Sequence, residues 1–139
     1  MYLLDTDILS GLLKRTPSTT LIARLAAVPP DQQFTSSITL GELIYGAHRL
    51  GARADALLGQ LDRVLLPNLP VLAFDAGAAR QYGIVRAELD RLGTPIGDAD
   101  LRIAAIALDR GLIVVTGNVR RFRRVPGLTV ENWLEERAV

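Results

Sequence analysis

Apolar positions along the chain follow two rhythms, short runs of three or four residues and longer stretches spaced for one face of a helix. Tyr2 to Leu4 reads as a short buried strand ending at Asp5, and Thr6 to about Leu13 takes up helical spacing. The next helix is expected to be capped by Thr16, with Pro17 in its first turn. Gln33 to Ser36 is a weak strand, after which Ile38 to Leu50 places Ile38, Leu43, Ile44 and Ala47 on roughly one helical face. A helix over about Arg53 to Leu65 ends before Pro67-Asn68-Leu69-Pro70. Val71 to Phe74 reads as a strand, Asp75 as the N-cap of a helix running to about Leu92, and Gly93-Thr94-Pro95 as a break. Ala99 to Arg110 is apolar nearly all round, which predicts a buried helix stopped by Gly111. Leu112 to Val115 is the strongest strand, apolar and rich in β-branched residues as an interior parallel strand should be. An arginine-rich segment and a last strand, Leu128 to Val130, follow. Strands separated by helices predict an α/β sandwich with a mostly parallel sheet, and no repeat or linker divides residues 1–139, so a single domain is expected.

Composition narrows the chemistry. A chain of 139 residues that is 49% hydrophobic and 22% charged can bury a core and stay in solution. The absence of cysteine excludes disulfides, thiolate zinc sites and cysteine nucleophiles, and fits the cytoplasm as the expected location. The start, MYLLD, has no basic region followed by an apolar stretch, so no signal peptide is expected. The longest apolar run, Ile103 to Leu108, is far short of the roughly 20 residues a bilayer requires, so no membrane association is expected. A net charge of +1 says little, but Lys14 is the only lysine, and Arg120, Arg121, Arg123 and Arg124 lie almost together. Their planar forks suit phosphate, although a solvated basic turn is the plainer reading. No GxxxxGK[ST] loop, GxSxG elbow or HExxH pair is present, which sets aside ATPases, serine hydrolases and zinc proteases.

In parallel sheets functional groups gather beyond the carboxyl ends of the strands. Asp5 and Thr116 fall at two such ends, and Glu42, Asp98 and Asp100 lie near the starts of helices that open onto the same edge. Residues 5, 42, 100 and 116 are therefore expected to converge. Carboxylates sharing a pocket repel one another and need protons or a cation. With no cysteine and His48 as the sole histidine, the fitting cation is a hard one, Mg²⁺ or Mn²⁺. Such an ion generates hydroxide from water and offsets charge on a phosphate under attack. Each residue also has a structural explanation. Asp7, in a helix's first turn, is favoured there by roughly 0.3–1 kcal/mol. Glu42 completes a Thr39-x-x-Glu capping box, Asp98 is a natural N-cap, and Asp100 would lie in the same first turn. Thr116 would satisfy strand-end backbone, and His48 is a surface or core residue.

These residues also fall into motifs. The chain resembles the VapC-type PIN-domain toxins of VapBC toxin–antitoxin systems along nearly its whole length. Leu3-Leu4-Asp5-Thr6-Asp7 resembles that family's first metal motif and Ser36 to Leu43, with Glu42 as the acid, its second. Pro95-Ile96-Gly97 through Asp100 to Ala105 resembles the third, and Val115-Thr116-Gly117-Asn118 with Phe122, Val125 to Leu128 and Glu131-Asn132-Trp133 the C-terminal segment. The resemblance implies a PIN-like three-layer α/β/α sandwich and a Mg²⁺- or Mn²⁺-dependent ribonuclease. Asp5, Glu42 and Asp100 would hold the metal, Thr116 would stand close by, and Thr6, Asp7, Asp98 and Asn118 would be accessory. Many PIN domains carry a fourth acid after the strand that ends here at Thr116; this chain has Asn118 and Arg121 instead, which favours one tightly held ion over two.

The expected reaction is in-line attack of a metal-activated water on the scissile phosphate, giving 5′-phosphate and 3′-hydroxyl ends. The resemblance implies transfer or ribosomal RNA as substrate, a homodimer, and a VapB-type antitoxin whose C-terminal segment lies in a groove between the helices around Ile8 to Leu13 and Ile44 to Leu50. Two phosphoryl-transfer readings compete, since Asp5-Thr6-Asp7 resembles the start of haloacid-dehalogenase-type phosphatases, and phosphorylation receivers also place acids after their first strand. Both require a late lysine, and Lys14 is the only one. The remaining competitor is a PIN domain that binds RNA or protein without cutting.

Overall fold

A computed structural model describes residues 1–135. Strand β1 (Tyr2–Leu4) leads into α1 (Thr6–Leu12) and α2 (Thr19–Ala26); β2 (Gln33–Ser36) leads into α3 (Ser37–His48) and α4 (Ala54–Gln60), which continues as a π turn, Leu61–Leu65. Then come β3 (Val71–Leu72), α5 (Ala76–Leu92), α6 (Asp98–Arg110), β4 (Ile113–Val115), the short α7 (Val119–Phe122) and β5 (Val130–Glu131). The five strands form one sheet in the order β3-β2-β1-β4-β5, every neighbouring pair parallel. No described helix is long and apolar enough to cross a membrane.

Strands β1 and β4, paired at the centre of the sheet, divide the core. Leu3 pairs in register with Val114, and Leu4 with Val115. Side chains alternate across a pleated strand, so Leu3 and Val114 pack with α5 and α6 residues such as Leu89, Ile103 and Ile106 on one face. Leu4 and Val115 pack on the other with Ile8, Leu9, Leu21 and Trp133. This is the expected α/β/α layering. Helix α6 buries six residues, as its all-round apolar pattern predicts, and Gly111 ends it in the left-handed conformation.

Several local expectations are corrected. The N-cap of α2 is Ser18, whose Oγ accepts from the Leu21 N–H, so Thr16 and Pro17 lie outside the helix. Helix α3 buries Thr39, Leu43 and Ala47, spaced by four, while Ile44 is exposed. Strand β3 stops at Leu72 because its partner β2 turns into α3 after Ser36. The last strand begins at Val130, since Leu128 closes a turn onto the Val125 carbonyl and Gly127 takes positive φ. Asp75 is the N-cap of α5, accepting from the Ala78 N–H.

Candidate active site

Chain order makes β1 the switch point of the sheet: β2 and β3 lie on one side of it, β4 and β5 on the other. Connections that leave in opposite directions open a crevice at the carboxyl ends of β1 and β4, the position where ligands bind in open parallel sheets. Asp5 and Thr116 follow those two strands directly.

Asp5 is fixed from both sides. Its backbone N–H donates to the Val115 carbonyl at 3.0 Å, holding it to β4. As N-cap of α1 it accepts from the Thr6 N–H at Oδ1, 2.7 Å, and Thr116 Oγ1 donates to Oδ2 at 2.8 Å. The carboxyl is buried, 5% exposed. Burial pushes its pKa up from 3.8 to about 6; the two hydrogen bonds oppose the rise, and the nearby Asp7 and Asp100 carboxylates add to it. A buried acid made costly by neighbouring acids indicates a place where negative charge has been concentrated.

Thr116, itself fully buried, also accepts from the Asn118 N–H at 2.9 Å, so its hydroxyl orders the turn after β4 while holding Asp5. Asp7 extends from the first turn of α1 to the same turn, accepting from the Gly117 N–H at 2.8 Å. A β-carbon at position 117 would stand 2.7 Å from Asp7 Oδ2, which is why glycine suits this position. Glu42 joins through Thr6, whose hydroxyl donates to Glu42 Oε1 at 2.6 Å and lies 3.2 Å from Thr39 Oγ1. Asp100, in the first turn of α6, completes the group and is paired with Arg121 at 3.0 Å.

The sequence-predicted residues therefore divide. Asp5, Asp7 and Thr116 come together, Asp100 lies near Asp5, and Glu42 stands at their margin on Thr6, although among the described residues no three acids are gathered closely enough to hold an ion. The capping box expected for Glu42 is absent: Ser36 caps α3, its Oγ accepting from the Thr39 N–H, because β2 runs straight into the helix. Asp98 is not an N-cap either. Gly97 takes that position, and the Asp98 carboxylate points to the outer side, accepting from Tyr82 Oη at 2.5 Å and Arg102 Nε at 2.8 Å. Those bonds, that from Tyr82 foremost, hold its pKa below the usual carboxylate value. Asn118 contributes its backbone N–H, and His48 is exposed. The sequence pattern offers Thr39 only as a cap and does not point to its contact with Thr6 or to the Gly117 N–H, because contacts across 33 and 110 residues carry no local signal.

The donor set is all oxygen, carboxylates and threonine hydroxyls, which fits a hard divalent cation. Asp5, Asp100 and Glu42 are the residues that would hold it. Past Gly117 a cleft of about 710 Å³ is lined by Arg24, Asn118, Arg120 and Arg123 together with Glu131, which pairs with Arg24, and Glu135. It supplies guanidinium groups at the scale of a nucleic-acid backbone.

Fold and site together define a doubly wound α/β domain with a carboxylate centre at its switch point. The model of the PIN domain matches residues 2–128, and the chain belongs to that family. It is 40% identical over 132 residues to the tRNA(fMet)-specific endonuclease VapC of Salmonella typhimurium, covering 95% of this chain and 97% of that protein. It is 36% identical over 135 residues to ribonuclease VapC2 of Haemophilus influenzae, covering 96% and 98%. Among solved structures, DNA-bound VapBC from Salmonella typhimurium superposes with a TM-score of 0.87 at 39% identity, covering 95% of this chain and 97% of that one.

Proposed function

We propose that this protein is an endoribonuclease, the toxin half of a toxin–antitoxin pair, which hydrolyses phosphodiester bonds of structured RNA with Mg²⁺ or Mn²⁺. The observation that carries the reading is the meeting of Asp5, Asp7 and Thr116, with Asp100 and Glu42 beside them, at the crevice between β1 and β4. Kinship with proteins named VapC ribonucleases supports it. A divalent cation held by Asp5, Asp100 and Glu42 would lower the pKa of water and offset charge on the phosphate. The chain's own groups do the rest. Thr116 and the Thr6 N–H fix both Asp5 oxygens in one orientation, each retaining a lone pair for a further partner. The Thr6 hydroxyl holds Glu42 Oε1 on the same edge. Arginines of the adjoining cleft would grip the RNA backbone, making binding salt-dependent. A transfer RNA is the proposed substrate class, by analogy with the Salmonella relative.

An apolar groove of about 300 Å³ runs between α1, α3 and α4, lined by Leu13, Leu43, Ala47, Leu50 and Leu57, with Thr6 and Glu42 also on its wall. An antitoxin segment laid there would reach the acids, which fits a VapB-type partner of the sort present in the VapBC structures. The test is incubation of cellular RNA with the purified, antitoxin-free protein in Mg²⁺, Mn²⁺ or chelator, with Asp100→Asn in parallel. Discrete fragments that need the cation and fall by about 10²-fold or more in the variant are expected. A folded protein that binds the cation and RNA but never cuts would make it a binding module instead.

A further inference from the structure

Among the described residues, one acid of the crevice forms an ion pair. Among the described residues, the ion pairs are Arg24–Glu131, Arg91–Glu88, Arg102–Asp98, Arg110–Asp75 and Arg121–Asp100, so of Asp5, Asp7, Glu42 and Asp100 only Asp100 is paired. The two partners differ in freedom. The Asp100 side chain is 17% exposed, whereas Arg121 is 54% exposed and makes, among the described residues, a single side-chain hydrogen bond, Nη1 to Oδ2 at 3.0 Å. The backbone of Arg121 is firmly placed. Its neighbour Phe122 is fully buried, and Arg124 donates to the Pro95 carbonyl, tying the end of α7 to the segment before α6. A fixed backbone carrying a solvated guanidinium is suited to a contact that must be made and then released. Among the described residues no three acidic or histidine side chains stand close enough together to hold an ion as they are arranged. Of the crevice acids, Asp100 is the one held by a guanidinium, Arg121 Nη1 donating to its Oδ2.

We propose that Arg121 is the resident counter-ion of the carboxylate centre, occupying Asp100 in the free protein and competing there with the divalent cation. Arg121 then sets how readily the site loads: the guanidinium balances the acids while no cation is bound, and swings into solvent when one arrives. The assignment rests on the cation reading given above. An exposed ion pair is weak and easily given up, so the competition tunes affinity and does not block it.

Mn²⁺ binding followed by electron paramagnetic resonance of the free ion, without RNA, tests this on the wild type, Arg121→Gln and Arg120→Gln. The last removes the same charge from a neighbouring arginine that pairs with no acid among the described residues. Arg121→Gln is expected to bind Mn²⁺ about fivefold more tightly, the upper scale of one exposed ion pair given up, and Arg120→Gln to change binding by no more than about twofold, as a screened surface charge does. Equal or weaker binding by Arg121→Gln, or equal gains in both variants, would overturn the role of Arg121 and leave the cation reading standing. Failure of the wild type and of Arg121→Gln alike to bind Mn²⁺ would overturn the cation reading, and this assignment with it.

Discussion

Asp5→Asn is expected to make the protein more stable while removing its RNA cleavage. The Asp5 carboxyl is buried beside Asp7 and Asp100, and its pKa in the fold stands at about 6 against 3.8. A folded-state pKa above the unfolded value means that the fold prefers the protonated acid. The favourable contribution is fully present below about pH 4 and is lost as pH rises through about 6, on the order of 3 kcal/mol in all. At pH 7.5 the wild type carries that whole cost. Asparagine carries no charge, can still accept from the Thr6 N–H, and can donate to the Thr116 hydroxyl, which has a lone pair to spare. Chemical denaturation should show the Asp5→Asn variant gaining about 1–3 kcal/mol at pH 7.5 and close to nothing at pH 4. The same change removes one of the carboxylates that would hold the cation, and cleavage should fall by about 10²–10³-fold. A variant that is less stable at pH 7.5, or as active as the wild type, would show that Asp5 is a structural cap only.

The second large effect is expected far from the chemistry. Helix α7 has four residues and no side-chain cap, too little to persist by itself. What holds it is Phe122, fully buried in the core beside Val114 and Val125. Phe122→Ala should cost about 3–5 kcal/mol, the lost transfer energy plus the cavity left behind. It should also detach Arg121 from Asp100, because that contact depends on where α7 is pinned. Thermal or urea unfolding reads the stability, and Phe122→Leu should recover most of it. A loss below about 1 kcal/mol would mean that α7 is held by something other than this side chain.

Strand ends and helix starts were the legible part of the site. Asp5 and Thr116 close apolar runs, Asp100 lies in the first turn of the most buried helix, and the parallel topology implied by alternating strands and helices brings those ends to one edge. Caps were less legible, because neighbouring residues could each serve. Thr16, Ser18 and Thr19 are all competent before α2, and only the path of the loop selects Ser18. Thr39-x-x-Glu42 satisfies the capping-box pattern, yet Ser36, three residues earlier and still extended at φ −115° and ψ 157°, takes the cap. That shift frees Thr39 to meet Thr6 and leaves Glu42 facing the crevice. Asp98 and Asp100 were separable by motif, and the structure supplies a physical difference: Tyr82 and Arg102 take one carboxylate outward, Arg121 meets the other. Tyr82 lies 16 residues from Asp98 on another helix, so no local pattern could have named it.

End-group analysis of the RNA fragments tests most directly whether the carboxylate crevice hydrolyses phosphodiesters with water. Fragments released in Mg²⁺ by the antitoxin-free protein should carry 5′-phosphate and 3′-hydroxyl termini, because water and not the ribose 2′-hydroxyl attacks. Termini bearing 2′,3′-cyclic phosphate, or the same fragments persisting in chelator, would contradict the account and place the chemistry outside Asp5, Glu42 and Asp100.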